Sequence, residues 1–224
     1  MPNWVMNVVT FEGEGVEELL DNLKDYAETA NGLKEVALSF NKVIDMPLDI
    51  ADTNTCANED LAVKIVRHAQ ENNLSIKEAT LELINEVMNT NISSKDHSVH
   101  HYLNLIQKYG KCNWYDWSIE NWGTKWDACD PIREGNTLYF ATAWSHPLPI
   151  IRHLAKQNPE IDIHVMFADE DYGNNFGEYE IKNEEFINLC NIQAGTDEAV
   201  KFSCEVWNDD YDKLMREWEQ CNEE

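Results

Sequence analysis

The chain has 224 residues, 43% of them hydrophobic and 10% aromatic, enough to bury a sizeable core in one large domain or in one domain with an insertion. Its 42 Asp and Glu against 17 Lys and Arg give a formal net charge of −25, which repels phosphate backbones: direct nucleic-acid binding is not expected on this balance, and a protein partner, basic in character, is expected. No apolar run reaches the roughly 20 residues of a membrane span, and MPNWVMNVVTF has no basic leader and no cleavage site, so no membrane contact and a cytoplasmic location are expected.

In chain order, WVMNVVTF (4–11) is β-branched and aromatic on both faces, as a central strand would be. EGEG (12–15) breaks it. A helix is predicted next, with Val16, Leu19, Leu20, Leu23 and Ala27 on one stripe and Asn31-Gly32 ending it. Leu33 to Ile44 reads as extended, closed by Met46-Pro47. From about residue 58 to 110 the pattern is helical. Leu61, Ile65, Val66 and Ala69 line the first helix. Ser75 and Glu78 form a capping box for the second, whose stripe is Ile76, Ala79, Leu83, Ile84 and Val87. Val99, Tyr102, Leu103 and Ile106 line the third, which stops at Gly110. This reads as a small bundle inserted between two halves of a sheet domain.

Beyond it, Thr124 to Cys129 is expected to be extended, with turn residues in DPIREGN (130–136) and a strong strand in TLYFATAW (137–144), so a hairpin is predicted. Ser145 and Pro147 suit a helix start, with Ile150, Ile151 and Leu154 facing inward. IDIHVMFA (161–168) is another strand, DEDYGNNFG a turn, and Glu178 to Ile181 extended again. Val200, Phe202, Cys204 and Val206 alternate like a strand, but the Thr196 cap favours a helix. Tyr211, Leu214, Met215 and Trp218 form a last amphipathic helix. The predicted fold is α+β: a ferredoxin-like antiparallel sheet with helices on one face over 1–55 and 111–182, a helical insertion over 56–110, and an acidic, helical C-terminal extension over 183–224.

Four blocks, MPNWV at the start, FNKVIDMP (40–47), NWGTKWDA (121–128) and FATAWSHPLPII (140–151), together resemble the YubB-type ferredoxin-like domain family of phage and plasmid genomes. His146 stands where that family tends toward a second proline. The resemblance implies the fold and a mobile-element origin, and no settled activity.

Four of the eight tryptophans lie in NWYDWSIENWGTKWDA (113–128). One reading makes Trp122, Trp126 and Trp144 a ligand pocket, with Asn121, Gly123, Lys125 and Asp127 around them. The competing reading makes the indoles a cover for the sheet. Trp114 and Trp117 are expected to be the freer pair and, with Asp169, Glu170 and Asp171, form the candidate partner-binding set. From Asp169 to Glu224, 17 acidic residues face 4 basic ones. His97, His100 and His101 share a helical face but lack the HExxH glutamate, and read as exposed histidines. Asp169 to Glu180 has calcium-loop spacing at three positions, but its glycine is misplaced and strands flank it, so it reads as an acidic turn. The six cysteines are scattered, without a CxxC pair. No Walker loop, GxGxxG or nucleophile elbow is present. No cofactor, metal or catalytic residue is expected. The function expected is that of a non-enzymatic interaction protein working through an acidic surface. The alternative is a small-ligand or nucleotide-binding domain.

Overall fold

Alternation along one strand organises the sheet. In β1 (Trp4–Gly13) Val5, Asn7, Val9 and Phe11 are buried, while Trp4, Met6, Val8 and Thr10 are partly covered. β1 lies between β5 (Thr137–Ala143) and β6 (Ile161–Asp169), antiparallel to both. The other strands are β4 (Cys129–Glu134), β7 (Phe176–Lys182) and β8 (Glu185–Asn188), and the six-stranded order is β4-β5-β1-β6-β7-β8. The computed structural model describes residues 2–29, 32–83, 86–87 and 97–222. It divides into two units, Met1–Asp45 with Glu120–Glu224, and Met46–Ile119.

In the first unit, α1 (Val16–Asn22) packs against β1, and α7 (Leu148–Gln157) packs against β6 and β7. α8 (Asp197–Trp207) closes over the opposite side of the sheet. Its Phe202 and Val206 form a buried cluster with Ala168, and Met6, Val8 and Met166 rest against it. The predicted helical C-terminal extension thus supplies cover to the second face of the sheet. The Thr196 hydroxyl caps α8 by accepting the Ala199 N–H at 3.2 Å, and α9 (Tyr211–Asn222) follows.

Three sequence expectations are corrected here. The first helix stops at Asn22 because the Leu23 carbonyl accepts the Ser39 N–H at 3.0 Å instead of continuing the helical ladder. The residues beyond it form a hairpin of β2 (Asp25–Thr29) and β3 (Gly32–Val36); Asn31 lies outside the described residues. Residues 124–128 are not a strand, and most of DPIREGN is: β4 runs to Glu134, leaving the turn to Gly135-Asn136. Pro131 is tolerated because β4 is an edge strand with an irregularity between Cys129 and Ile132. Ser145 is not the cap of α7, whose N-cap is Pro147.

The second unit is helical: α2 (Leu48–Ala51), α3 (Ala57–Asn72), α4 (Ile76–Glu82) and α5 (Val99–Tyr109), with the start of α6 (Trp114–Asn121). Ser75 and Glu78 form both bonds of the capping box before α4. Ser98 caps α5, and Gly110 ends it in the left-handed conformation. Ile84 of the predicted second stripe lies outside the described residues.

Candidate functional site

The tryptophan stretch splits into a buried part and an exposed part within six residues. Trp122 is 5% exposed. Its indole stands edge-on to Phe40 at 5.8 Å and donates through Nε1 to the Ile44 carbonyl at 2.9 Å. Gly123 has φ +81, and a Cβ there would lie 2.6 Å from Cδ of Pro149, so only glycine fits the close passage. Ser145 Oγ donates to the Gly123 carbonyl at 2.6 Å, and Thr124 Oγ1 donates to the Ala143 carbonyl at 2.8 Å. The Asp127 carboxylate accepts from Ser39 Oγ (2.7 Å), the Phe40 N–H (2.6 Å) and the Ala128 N–H (2.8 Å). Removal from water raises its pKa, and those three donors pull against the rise. Trp122 and Asp127 therefore stitch residues 39–44 to this stretch, while Gly123 and Thr124 fasten the stretch to Pro149, Ser145 and Ala143. Asn121, at the end of α6, is half-covered.

Lys125, Trp126 and Trp144 lie on the other side of that stitch. Trp126 is 39% exposed and Trp144 44% exposed. The Lys125 ammonium sits 4.5 Å from the Trp126 ring centroid and 5.0 Å from that of Trp144, so it bridges the two indoles. Trp4 extends the patch, its ring 6.1 Å from that of Trp126. Trp144 has a positive φ of 67°, and its N–H donates to the Asn3 carbonyl at 2.9 Å.

Register brings the acidic turn to the same end of the sheet. Trp4 pairs with Ala143 on one side, Val5 pairs with Asp169 on the other, and the Glu170 N–H donates to the Trp4 carbonyl at 2.8 Å. Asp169 itself is buried. Its carboxylate accepts from Asn3 Nδ2 (3.2 Å), the Asp171 N–H (2.9 Å) and Asn175 Nδ2 (2.9 Å), and it holds the turn together. Glu170 and Asp171 are exposed. Three of the seven candidate ligand residues and the exposed acids of the candidate partner set thus lie at the same end of the sheet.

The second unit holds the remaining candidates. Trp117, expected to be exposed, is 5% exposed, while Trp114 is half-covered. His97 and His101 stack at 4.2 Å, and His97 Nε2 lies 3.0 Å from the Asp52 carbonyl. Burial and the neighbouring His97 lower the His101 pKa. This corrects the picture of three exposed histidines: His101 Nε2 is buried, with no hydrogen-bond partner among the described residues. Among the described residues, no group of three His, Cys, Asp or Glu could hold a metal ion, and no helix is long and apolar enough to cross a membrane.

A buried polar network centres on Asn7, a residue with no motif around it. Asn7 Nδ2 donates to the Val5 carbonyl (2.9 Å), the Phe140 carbonyl (3.2 Å) and Thr142 Oγ1 (2.9 Å), which leaves its Oδ1 as an acceptor. His146 Nδ1 lies 2.7 Å from that oxygen and must donate to it. The bare Nε2, 2.6 Å from the Tyr179 hydroxyl, then accepts from it. Burial lowers the His146 pKa to about 3 and raises that of Tyr179, so both remain neutral near pH 7. A neutral imidazole with both nitrogens engaged is a positioning device, not a poised base. The signal in the sequence was Asn7 itself, a polar residue in the middle of an apolar strand.

These elements form an antiparallel sheet carrying helices, the architecture on which the family comparison bears. Residues 121–210 match the family model for the ferredoxin-like domain in Api92-like protein. The match runs from the tryptophan stretch through α8, so the ferredoxin-like part of this chain includes the acidic turn and the cap over the second face. A crystal structure of the protein Api92 from Yersinia pseudotuberculosis is similar over 88% of this chain and 100% of that one, at 8% identity and a TM-score of 0.40. Among curated proteins, none matches the chain.

Proposed function

We propose that this chain is a non-enzymatic accessory protein that binds, and thereby modulates or blocks, a host or competing factor. The observation that carries this reading is the exposed Trp126–Lys125–Trp144 bridge at the same end of the sheet as exposed Glu170 and Asp171. Large aromatic side chains held in place at a surface are the residues that dominate protein interfaces. A net charge of −25 steers a basic partner toward the patch and repels a polyanion. In this reading the tryptophans supply affinity and the acids supply rate and selectivity. The YubB-type resemblance adds a phage or plasmid origin, action in the bacterial cytoplasm, and a counter-defence role as parts of the same proposal.

The test is co-precipitation from host lysate at low and high salt, using the intact chain and the double variant Trp126→Ala/Trp144→Ala. A partner captured at low salt, weakened at high salt and lost with the double variant is the expected result. A partner retained by the double variant would remove the patch from the proposal. Capture by neither protein would remove the proposal itself.

A further inference from the structure

A second candidate site opens on the neutral network and is joined to the tryptophan patch through Asn175, whose Nδ2 donates to the Trp144 carbonyl at 3.1 Å. Beside the neutral network, a cavity of about 420 Å³ is lined by His146, Phe167, Tyr179, Phe186, Asn188 and Ala194, among others. That volume falls within the range of small-molecule sites. Aromatic pairs form its walls. His146 stacks on Phe167 at 4.5 Å and 13°, and Tyr179 stacks on Phe186 at 4.6 Å and 30°. Phe167 lies against the backbone of Gly177, where a Cβ would approach the ring to 2.7 Å. The wall is therefore set by a residue with no side chain.

The polar content of the cavity defines what it can take. The Tyr179 hydroxyl spends its proton on His146, and among the described residues nothing donates to its oxygen. It presents acceptor lone pairs on an otherwise aromatic wall. Asn175 and Asn188, also at the cavity, spend amide N–H groups on oxygens of Trp144, Asp169 and Cys190, and the Glu178 carboxylate turns to the other face of the sheet, 2.9 Å from His164. An acceptor oxygen in a strongly acidic chain favours ligands that donate, and disfavours phosphates and carboxylates.

We infer that this cavity binds a neutral, planar heterocycle carrying N–H donors, such as an unphosphorylated nucleoside, with Tyr179 accepting from it. The ligand would touch neither the Trp126 nor the Trp144 indole, and neither proposal requires the other.

The test is calorimetric titration of the full chain with adenosine, adenosine monophosphate, indole and 1-methylindole. Three proteins are compared: wild type, Tyr179→Phe and Ala194→Trp. Ala194 is exposed at the mouth, so a tryptophan there fills the cavity without entering the core. Saturable binding of adenosine or indole is expected for wild type. Tyr179→Phe should weaken both about tenfold, the worth of one hydrogen bond, and leave 1-methylindole unchanged. Ala194→Trp should abolish all binding with its melting temperature retained. Should Tyr179→Phe fail to fold, indole against 1-methylindole on wild type reads the same hydrogen bond. No saturable binding at millimolar probe, binding that survives Ala194→Trp, or adenosine monophosphate binding as tightly as adenosine would each overturn the assignment.

Discussion

Trp122 and Trp126 are four residues apart in sequence and serve opposite ends. Trp122 is closed in by Phe40 and has its N–H matched to a carbonyl. Trp126 lies open beside Lys125 and Trp4. The same side chain is a core staple in one case and exposed contact area in the other. The backbone between them makes the division. Gly123 pins the chain to Pro149, Thr124 fastens it to Ala143, and Asp127 ties it to Ser39 and Phe40, leaving Lys125 and Trp126 to face outward. A count of tryptophans in a stretch therefore says little about binding until each indole N–H is traced to its partner.

Substitutions on the two sides should separate stability from binding. Trp122→Ala should have the largest effect, a loss of about 3–5 kcal/mol in denaturant unfolding, because it empties a core site and leaves the Ile44 carbonyl without its donor. If the loss were under about 1 kcal/mol, the stitch would not be what holds residues 39–44. Acid should act next. His146 is neutral in the folded protein with its pKa down at about 3, so the unfolded chain binds the extra proton first. Its contribution is complete above the ordinary histidine value of about 6.5 and falls by about 1.4 kcal/mol per pH unit below it, until about pH 3. Unfolding measured from pH 7 to 5 should show that slope, and His146→Gln should flatten it. Gly123→Ala should cost about 1–3 kcal/mol through its positive φ and the contact with Pro149, seen as a lowered melting temperature. The smallest stability change belongs to Trp126→Ala/Trp144→Ala, within about 0.5 kcal/mol per site. That same pair should give the largest loss of partner binding, at least tenfold.

The architecture was legible where local rules and tertiary packing agree. The Ser75 box, the Thr196 cap, the Gly110 stop and the alternating strands at 4–11, 137–144 and 161–168 all declare themselves in a few adjacent residues. The stripe through Leu23 did not mark its own end, because the bond that stops α1 comes from Ser39, sixteen positions away. DPIREGN carries turn residues, yet an edge strand accepts them. The candidate site was half legible. Trp126 and Trp144 were set near each other by a hairpin through residues 124–129 that does not form, and Trp4 and Glu170 come to the same end only through the pairing of β1 with two distant strands. His146 read as a small departure from a family pattern. Its role is visible only once Asn7 and Tyr179 are set beside it.

The position of β1 also has a consequence for synthesis. Val9 must pair with Leu138 on one side and Val165 on the other, and the whole second unit is made between them. As the chain leaves the ribosome, the central strand waits with both edges open until its neighbours exist. Residues 46–119 can meanwhile fold through contacts close in sequence. The expected order is helical unit first and sheet last, with a slow closing step set by the long loop that β1 must span. An aggregation-prone interval then ends only when β6 arrives.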